Sequence, residues 1–121
     1  MKSVLLVFVG GGLGSAARYF IAKYLNHLHL PYGTFLANVI GSLLIGLILG
    51  YLTKFNSYSN SHALFFATGF CGGFTTFSTF AFENHIFLKN GDYFHFFIYT
   101  LGSIAIALLA VFLGIFIAKL A

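Results

Sequence analysis

Four apolar stretches, each about as long as a bilayer's hydrocarbon core is thick, decide what this chain can fold into. They run from about Val4 to Tyr24, Thr34 to Leu52, Ala63 to Leu88 and Phe94 to Ala118. A helix needs roughly 20 apolar residues to cross that core, and its backbone groups must be satisfied within it. Of the 121 residues, 60% are hydrophobic and 7% charged. A soluble domain of this size leaves too much of its surface in water to hide such a composition. The fold class that follows is an all-α membrane protein, a single domain over residues 1–121 with four transmembrane helices.

The connections are short: Asn26 to Gly33 with the lone Pro31, Lys54 to His62, and the turn Lys89-Asn90-Gly91-Asp92. They force neighbouring helices to run antiparallel. Lys2, an apolar run and Ser15-Ala16-Ala17 imitate a cleaved signal peptide. The run continues past Arg18 into Tyr19, Phe20, Ile21 and Ala22, as a span does and a cleavage site does not.

With four spans, Lys2, Lys54 and Lys119 share one side of the membrane, and Arg18, Lys23 and Lys89 the other. Orientation is set by an imbalance of Lys and Arg, and here there is none. Insertion in both orientations is expected, with two opposed copies forming an antiparallel dual-topology homodimer about a twofold axis. One four-helix copy is also too thin to enclose a polar pathway. The six basic residues form no patch for nucleic acid. Cys71 is the lone cysteine, which leaves no internal disulfide and reads as a small buried hydrophobe. His27 and His29 are two apart, not the i, i+4 of a helical zinc pair, and with His62, His85 and His95 are expected at the interfaces.

Polar groups within the spans are costly and mark function by default. Gly10 and Gly14 form a GxxxG pair suited to close helix packing. For Arg18 two roles are open, snorkelling to the interface or capping polar backbone at a pore mouth. Thr34, Asn38, Ser42, Gly46 and Gly50 follow one another at i+4, hence on one stripe of the second helix. Asn38 either glues two helices or lines an aqueous path. Tyr99 and Ser103 share a face of the fourth helix, although Tyr99 also suits an interfacial aromatic belt. Glu83 sits near the end of the third span, either as an interfacial carboxylate or at a vestibule.

The third span is the most unusual. It reads Gly72-Gly73-Phe74-Thr75-Thr76-Phe77-Ser78-Thr79-Phe80. Two poor helix formers followed by four hydroxyls predict a helix broken near its middle, at about Gly72 to Ser78. Carbonyls freed at membrane depth are hard oxygen ligands suited to Na⁺. Phe74, Phe77 and Phe80 recur every three residues, as a packing ridge or as rings whose positive edges attract an anion. Amide, hydroxyl and ring-edge donors without a fixed positive charge suit a small hydrated anion that must bind and then leave. The sequence carries no Ser-His-Asp arrangement, no paired carboxylates and no cofactor loop, so the expectation is a non-enzyme.

These residues resemble those of the Fluc (CrcB-like) fluoride channel family over essentially the whole chain. The third-span motif just quoted is the most specific part. Gly11-Gly12-Leu13-Gly14-Ser15-Ala16-Ala17-Arg18-Tyr19 resembles the family's first helix, and Gly33-Thr34-Phe35-Leu36-Ala37-Asn38 the start of its second. The resemblance implies passive fluoride export across a bacterial plasma membrane, through two pores in a dual-topology homodimer. It implies that Phe77 and Phe80 turn ring edges to fluoride beside Asn38, with Ser78 and Thr79 as a hydroxyl track and Tyr99 and Ser103 as a polar track. It also implies that Gly72 and Thr75 hold a structural Na⁺ through backbone carbonyls, and that Arg18 and Glu83 lie at a mouth or vestibule. Ala107 departs from the pattern, since some members keep a polar residue one turn beyond Ser103. Two rival classes fit less well. A proton-coupled small multidrug transporter needs a carboxylate deep in the membrane, and Glu83 lies near a helix end. A non-transporting membrane subunit leaves the Asn38 and Phe-Thr-Ser tracks without purpose.

Overall fold

The computed structural model describes residues 1–27, 29–55 and 60–121. Residues 56–59, part of the expected Asn/Ser-rich connection, lie outside the described residues. Among the described residues the chain is helical, without strands. Helix α1 spans Lys2–Leu25 and α2 Tyr32–Lys54. The third span opens with one turn, α3 (Asn60–His62), and widens into a π-helix over Ala63–Cys71. It then passes through one turn, α4 (Gly72–Phe74), and after two extended residues continues as α5 (Phe77–Lys89). Helix α6 covers Tyr93–Leu120. The stretches Lys2–Leu25, Tyr32–Lys54, Ala63–Lys89 and Tyr93–Leu120 are long and apolar enough to cross a membrane, so the chain is a multi-pass membrane protein.

Local chemistry sets the boundaries. Pro31 precedes α2, where its missing N–H costs nothing, and its carbonyl accepts the Phe35 N–H at 3.1 Å. The α5–α6 turn is a Schellman closure. Gly91 takes φ +72°, its N–H reaches the Leu88 carbonyl at 3.1 Å, and the Asp92 N–H reaches Phe87 at 2.8 Å. Asp92 then caps α6 by accepting the His95 N–H at 3.3 Å. The hydrogen bond from the His95 ring holds the Asp92 carboxyl below the ordinary carboxylate range.

Packing uses small residues, because lipid tails give apolar helices no solvophobic reason to meet. Helix α1 lies against the π-helix and α4, and α2 lies along α6. A Cβ at Gly10 would strike the Phe65 carbonyl, and one at Gly14 the Phe70 carbonyl. Gly46 and Gly114 play the same part between α2 and α6, against the carbonyls of Val111 and Leu43. Outward faces carry large apolar side chains such as Phe8, Leu109 and Phe112, suited to lipid. At one end Lys54 Nζ reaches the carbonyls of Lys119 and Ala121. At the other His29 meets His95. Alternate connections therefore gather at opposite ends, as four crossings require.

Candidate ion pathway

The backbone between α4 and α5 organises the site. Thr75 and Thr76 are extended, at φ −92°, ψ 155° and φ −150°, ψ 118°. The polar groups of Thr76 leave the helical ladder and find side-chain partners. Asn38 holds Thr76 with both ends of its amide: its Oδ1 accepts the Thr76 N–H at 2.7 Å, and its Nδ2 donates to the Thr76 carbonyl at 3.2 Å. The Thr76 hydroxyl accepts the Thr79 N–H at 3.2 Å and so caps α5. Thr75 closes α4 from below, its N–H and hydroxyl donating to the Cys71 carbonyl at 3.0 and 2.8 Å. Gly41 leaves the space that the Thr75 methyl occupies.

Arg18 faces the same stretch. Its Nε donates to the Gly73 carbonyl at 3.1 Å, joined by the Ser15 hydroxyl at 3.4 Å. Of the two roles open to it, Arg18 takes up polar backbone rather than reaching outward. Gly72–Phe74 stay helical, although Gly72 and Gly73 were expected to help open the helix. Gly73 instead gives room to the Gly11 carbonyl, a packing duty.

A cavity of about 430 Å³ opens beside the extended pair, lined chiefly by Asn38, Ser42, Thr68, Gly72, Thr75, Phe77, Phe80, Ser103 and Ala107. Among the described residues no Lys, Arg, His, Asp or Glu lines it. Two donors are uncommitted. The Ser103 hydroxyl is buried with no hydrogen-bond partner among the described residues. Asn38 gives one N–H to Thr76, and an amide carries two. Ser42 is committed, bonding back to the Asn38 carbonyl at 2.7 Å. Phe80 is 8% exposed while Phe77 is 79% exposed, and their ring centroids lie 5.8 Å apart at 46°.

The remaining expected residues stand outside this lining. Ser78 and Thr79 put their hydroxyls 3.3 and 3.2 Å from that of Thr76. Tyr99 lies behind Phe80, ring centroids 5.1 Å apart, and its hydroxyl donates to Glu83 Oε1 at 2.8 Å. Glu83 is half-buried there. Its Oε2 accepts the Thr34 hydroxyl at 2.8 Å and the Asn26 amide at 3.4 Å, and Asn26 also donates to the Thr34 hydroxyl at 3.0 Å. Sequence reasoning missed Asn26 as a partner of this carboxylate, because it comes from the far side of a connection. It also passed over Asn84, which is buried, bonds the Phe80 carbonyl at 3.1 Å and accepts from Thr100 at 2.9 Å. A lone Asn four residues beyond a Phe in an apolar helix was the available signal.

Comparison with known proteins places the sequence among relatives of similar length. A sequence model described as "CrcB-like protein, Camphor Resistance (CrcB)" matches residues 5–115. The chain is 48% identical to a protein of Gloeothece citriformis named fluoride-specific ion channel FluC, over 98% of both chains. Proteins of the same name from Campylobacter lari, 42% identical over 97% of this chain and 98% of theirs, and from Pyrococcus abyssi, 38% identical over 98% of both, also match. A match of this length leaves no part of the four-helix core outside it, and the chain belongs to the CrcB-like family.

Proposed function

We propose that this chain is a fluoride-selective channel, and not an enzyme, that lets fluoride leave the cell passively across a bacterial plasma membrane. The observation that carries the reading is the donor set of the cavity. Asn38 and Ser103 line it, the Ser103 hydroxyl has no hydrogen-bond partner among the described residues, two phenyl rings border it, and none of the described charged residues lines it. Fluoride gives up a tightly held water shell only to hydrogen-bond donors, and a fixed cation would hold it too firmly to let it go. Ring edges supply weak positive potential without that trap. The relatives' name, fluoride-specific ion channel, supports the same ion.

The working unit is an antiparallel dual-topology homodimer with two pores. Phe77 and Gly72 are exposed in one copy, so the cavity is half a pathway. The even division of basic residues lets a second copy arrive inverted. The third span works as a broken membrane helix, its extended Thr75–Thr76 pair turned toward the pathway. Ser78, Thr79 and Tyr99 line the approach to the cavity, and Arg18 and Glu83 set its ends.

A structural Na⁺ fits this backbone. Thr76 N–H turns to Asn38 and Thr79 N–H to the Thr76 hydroxyl, so neither returns to the carbonyl four residues earlier, at Gly72 or Thr75. Those two oxygens, without a backbone partner among the described residues, are hard ligands, and they would hold the ion at the dimer centre. The ion would supply a fixed charge that joins the copies.

Neutral HF enters cells by crossing lipid and dissociates inside, where the anion is trapped. A selective passive conduit empties that trap without an energy source. The test is anion efflux from proteoliposomes, followed with a fluoride electrode and then a chloride electrode. Rapid fluoride release without chloride release is expected. Release of neither ion from well-folded dimeric protein overturns the reading.

A further inference from the structure

At the end of the molecule where α2 and α6 begin, three ligand-type side chains from two separate connections meet. His29 comes from the α1–α2 connection, and Asp92 and His95 from the start of α6. One nitrogen of each histidine and a carboxylate oxygen gather within 4.8 Å of one another. His29 Nε2 lies 3.3 Å from His95 Nδ1 and 3.7 Å from Asp92 Oδ2, and His95 Nδ1 lies 2.7 Å from the same Oδ2.

His95 Nδ1 bonds the Asp92 carboxylate, and the exposed ring of His29 brings a further nitrogen to the same pair. A cation shared by all three atoms would take the place of the proton between His95 and Asp92. In a tetrahedral zinc site with bonds of about 2.0–2.1 Å, ligand atoms sit about 3.3 Å apart, the separation of the two imidazole nitrogens here.

We infer that His29, Asp92 and His95 form a binding site for a divalent transition-metal cation of the zinc class, tying the α1–α2 connection to the first turn of α6. Two imidazoles and one carboxylate select zinc-class ions over Mg²⁺, which prefers an all-oxygen octahedral shell. Three protein ligands leave the fourth position open to water. The site has its own framework. The Schellman turn at Gly91 and the Asp92 cap fix two of the ligands on a rigid helix start, and the Phe87 ring stacks on His95 at 6.0 Å. His29 is the exposed arm, open enough for an ion to enter beneath it. The inference does not depend on the fluoride reading, because none of the three residues lines the cavity.

The test is calorimetric titration of the purified detergent-solubilised protein with Zn²⁺, and separately with Mg²⁺. Co²⁺ absorption in the visible range then reports the ligand geometry. One Zn²⁺ per chain is expected, with an intense tetrahedral-type Co²⁺ spectrum and no response to Mg²⁺. His29→Gln and His95→Gln should each weaken Zn²⁺ binding at least about 10-fold, and His62→Gln should leave it unchanged. All three variants should keep the helical signal of the parent, since His29 is exposed and no hydrogen bond crucial to a span is lost. Absence of saturable Zn²⁺ binding overturns the inference. So does Zn²⁺ binding that neither His29→Gln nor His95→Gln alters, or equal binding of Mg²⁺.

Discussion

Single residues here separate stability from transport in ways that can be measured. The Ser103 hydroxyl makes no hydrogen bond in its buried position. Ser103→Ala therefore removes a donor without breaking a bond, and stability should change by no more than about 0.5 kcal/mol. Fluoride flux should nonetheless fall several-fold, and a variant with full flux would remove Ser103 from the pathway. Phe80→Ile keeps an apolar side chain but deletes the ring edge, so fluoride flux should drop sharply while elution from a sizing column stays that of the parent. Glu83 is the opposite case. Both of its oxygens accept, from Tyr99 on one side and Thr34 and Asn26 on the other. Glu83→Gln replaces one acceptor oxygen by a donor, so either the Tyr99 hydroxyl or the Thr34–Asn26 pair loses its acceptor whichever way the amide turns. Thermal unfolding should show a loss of about 1–3 kcal/mol. Asn38 was legible in the sequence, since an amide deep in a Leu/Ile helix has to be paired. The surroundings of Glu83 were not, because its partners lie 49 and 57 residues away and meet it only in the folded chain.

At the scale of elements, hydropathy was enough to find all four spans, because lipid selects for length and apolarity rather than for a face. The winding within the third span was not legible. A π-helix over Ala63–Cys71 differs from an α-helix only in which carbonyl each N–H chooses, and composition does not record that choice. Gly72 and Gly73, at the start of the Gly72 to Ser78 stretch, stay helical, and the extended residues inside it are Thr75 and Thr76. Their position is fixed by Asn38, a contact from another helix, while the glycines serve packing. That duty gives a paired test on one helix. A side chain at Gly14 meets the Phe70 carbonyl, whereas a Cβ at Gly12 finds nothing within 4 Å. Backbone cannot yield as a flexible side chain does, so Gly14→Val should cost upwards of about 1–3 kcal/mol and aggregate on extraction. Gly12→Ala should extract and unfold as the parent does. Equal behaviour of the two would mean that α1 does not pack on the third span through this glycine face.

For the whole molecule, orientation depends on very few charges. Three basic residues lie toward each side of the membrane, so each one removed shifts the balance by a large fraction. The double substitution Lys2→Gln and Lys119→Gln leaves Lys54 alone against Arg18, Lys23 and Lys89. The better-charged side should then stay cytoplasmic, and both termini should lie outside. Lys23→Gln with Lys89→Gln leaves Arg18 alone against Lys2, Lys54 and Lys119, and should give the opposite orientation. A C-terminal reporter active on only one side of the membrane reads each outcome. If the channel is an inverted pair, neither variant can assemble it alone, because every copy points the same way. Each should fail to protect cells from fluoride, and expressing the two together should restore protection. Full protection by either variant alone would show that parallel copies, or single ones, suffice. The open cavity beside Phe77 would then have to be closed by lipid or by another part of the same chain. That outcome is physically costly, because non-helical backbone at Thr75 and Thr76 would sit half-buried beside hydrocarbon. The co-expression result therefore also tests whether the half-buried Thr75–Thr76 stretch is built to meet a second copy.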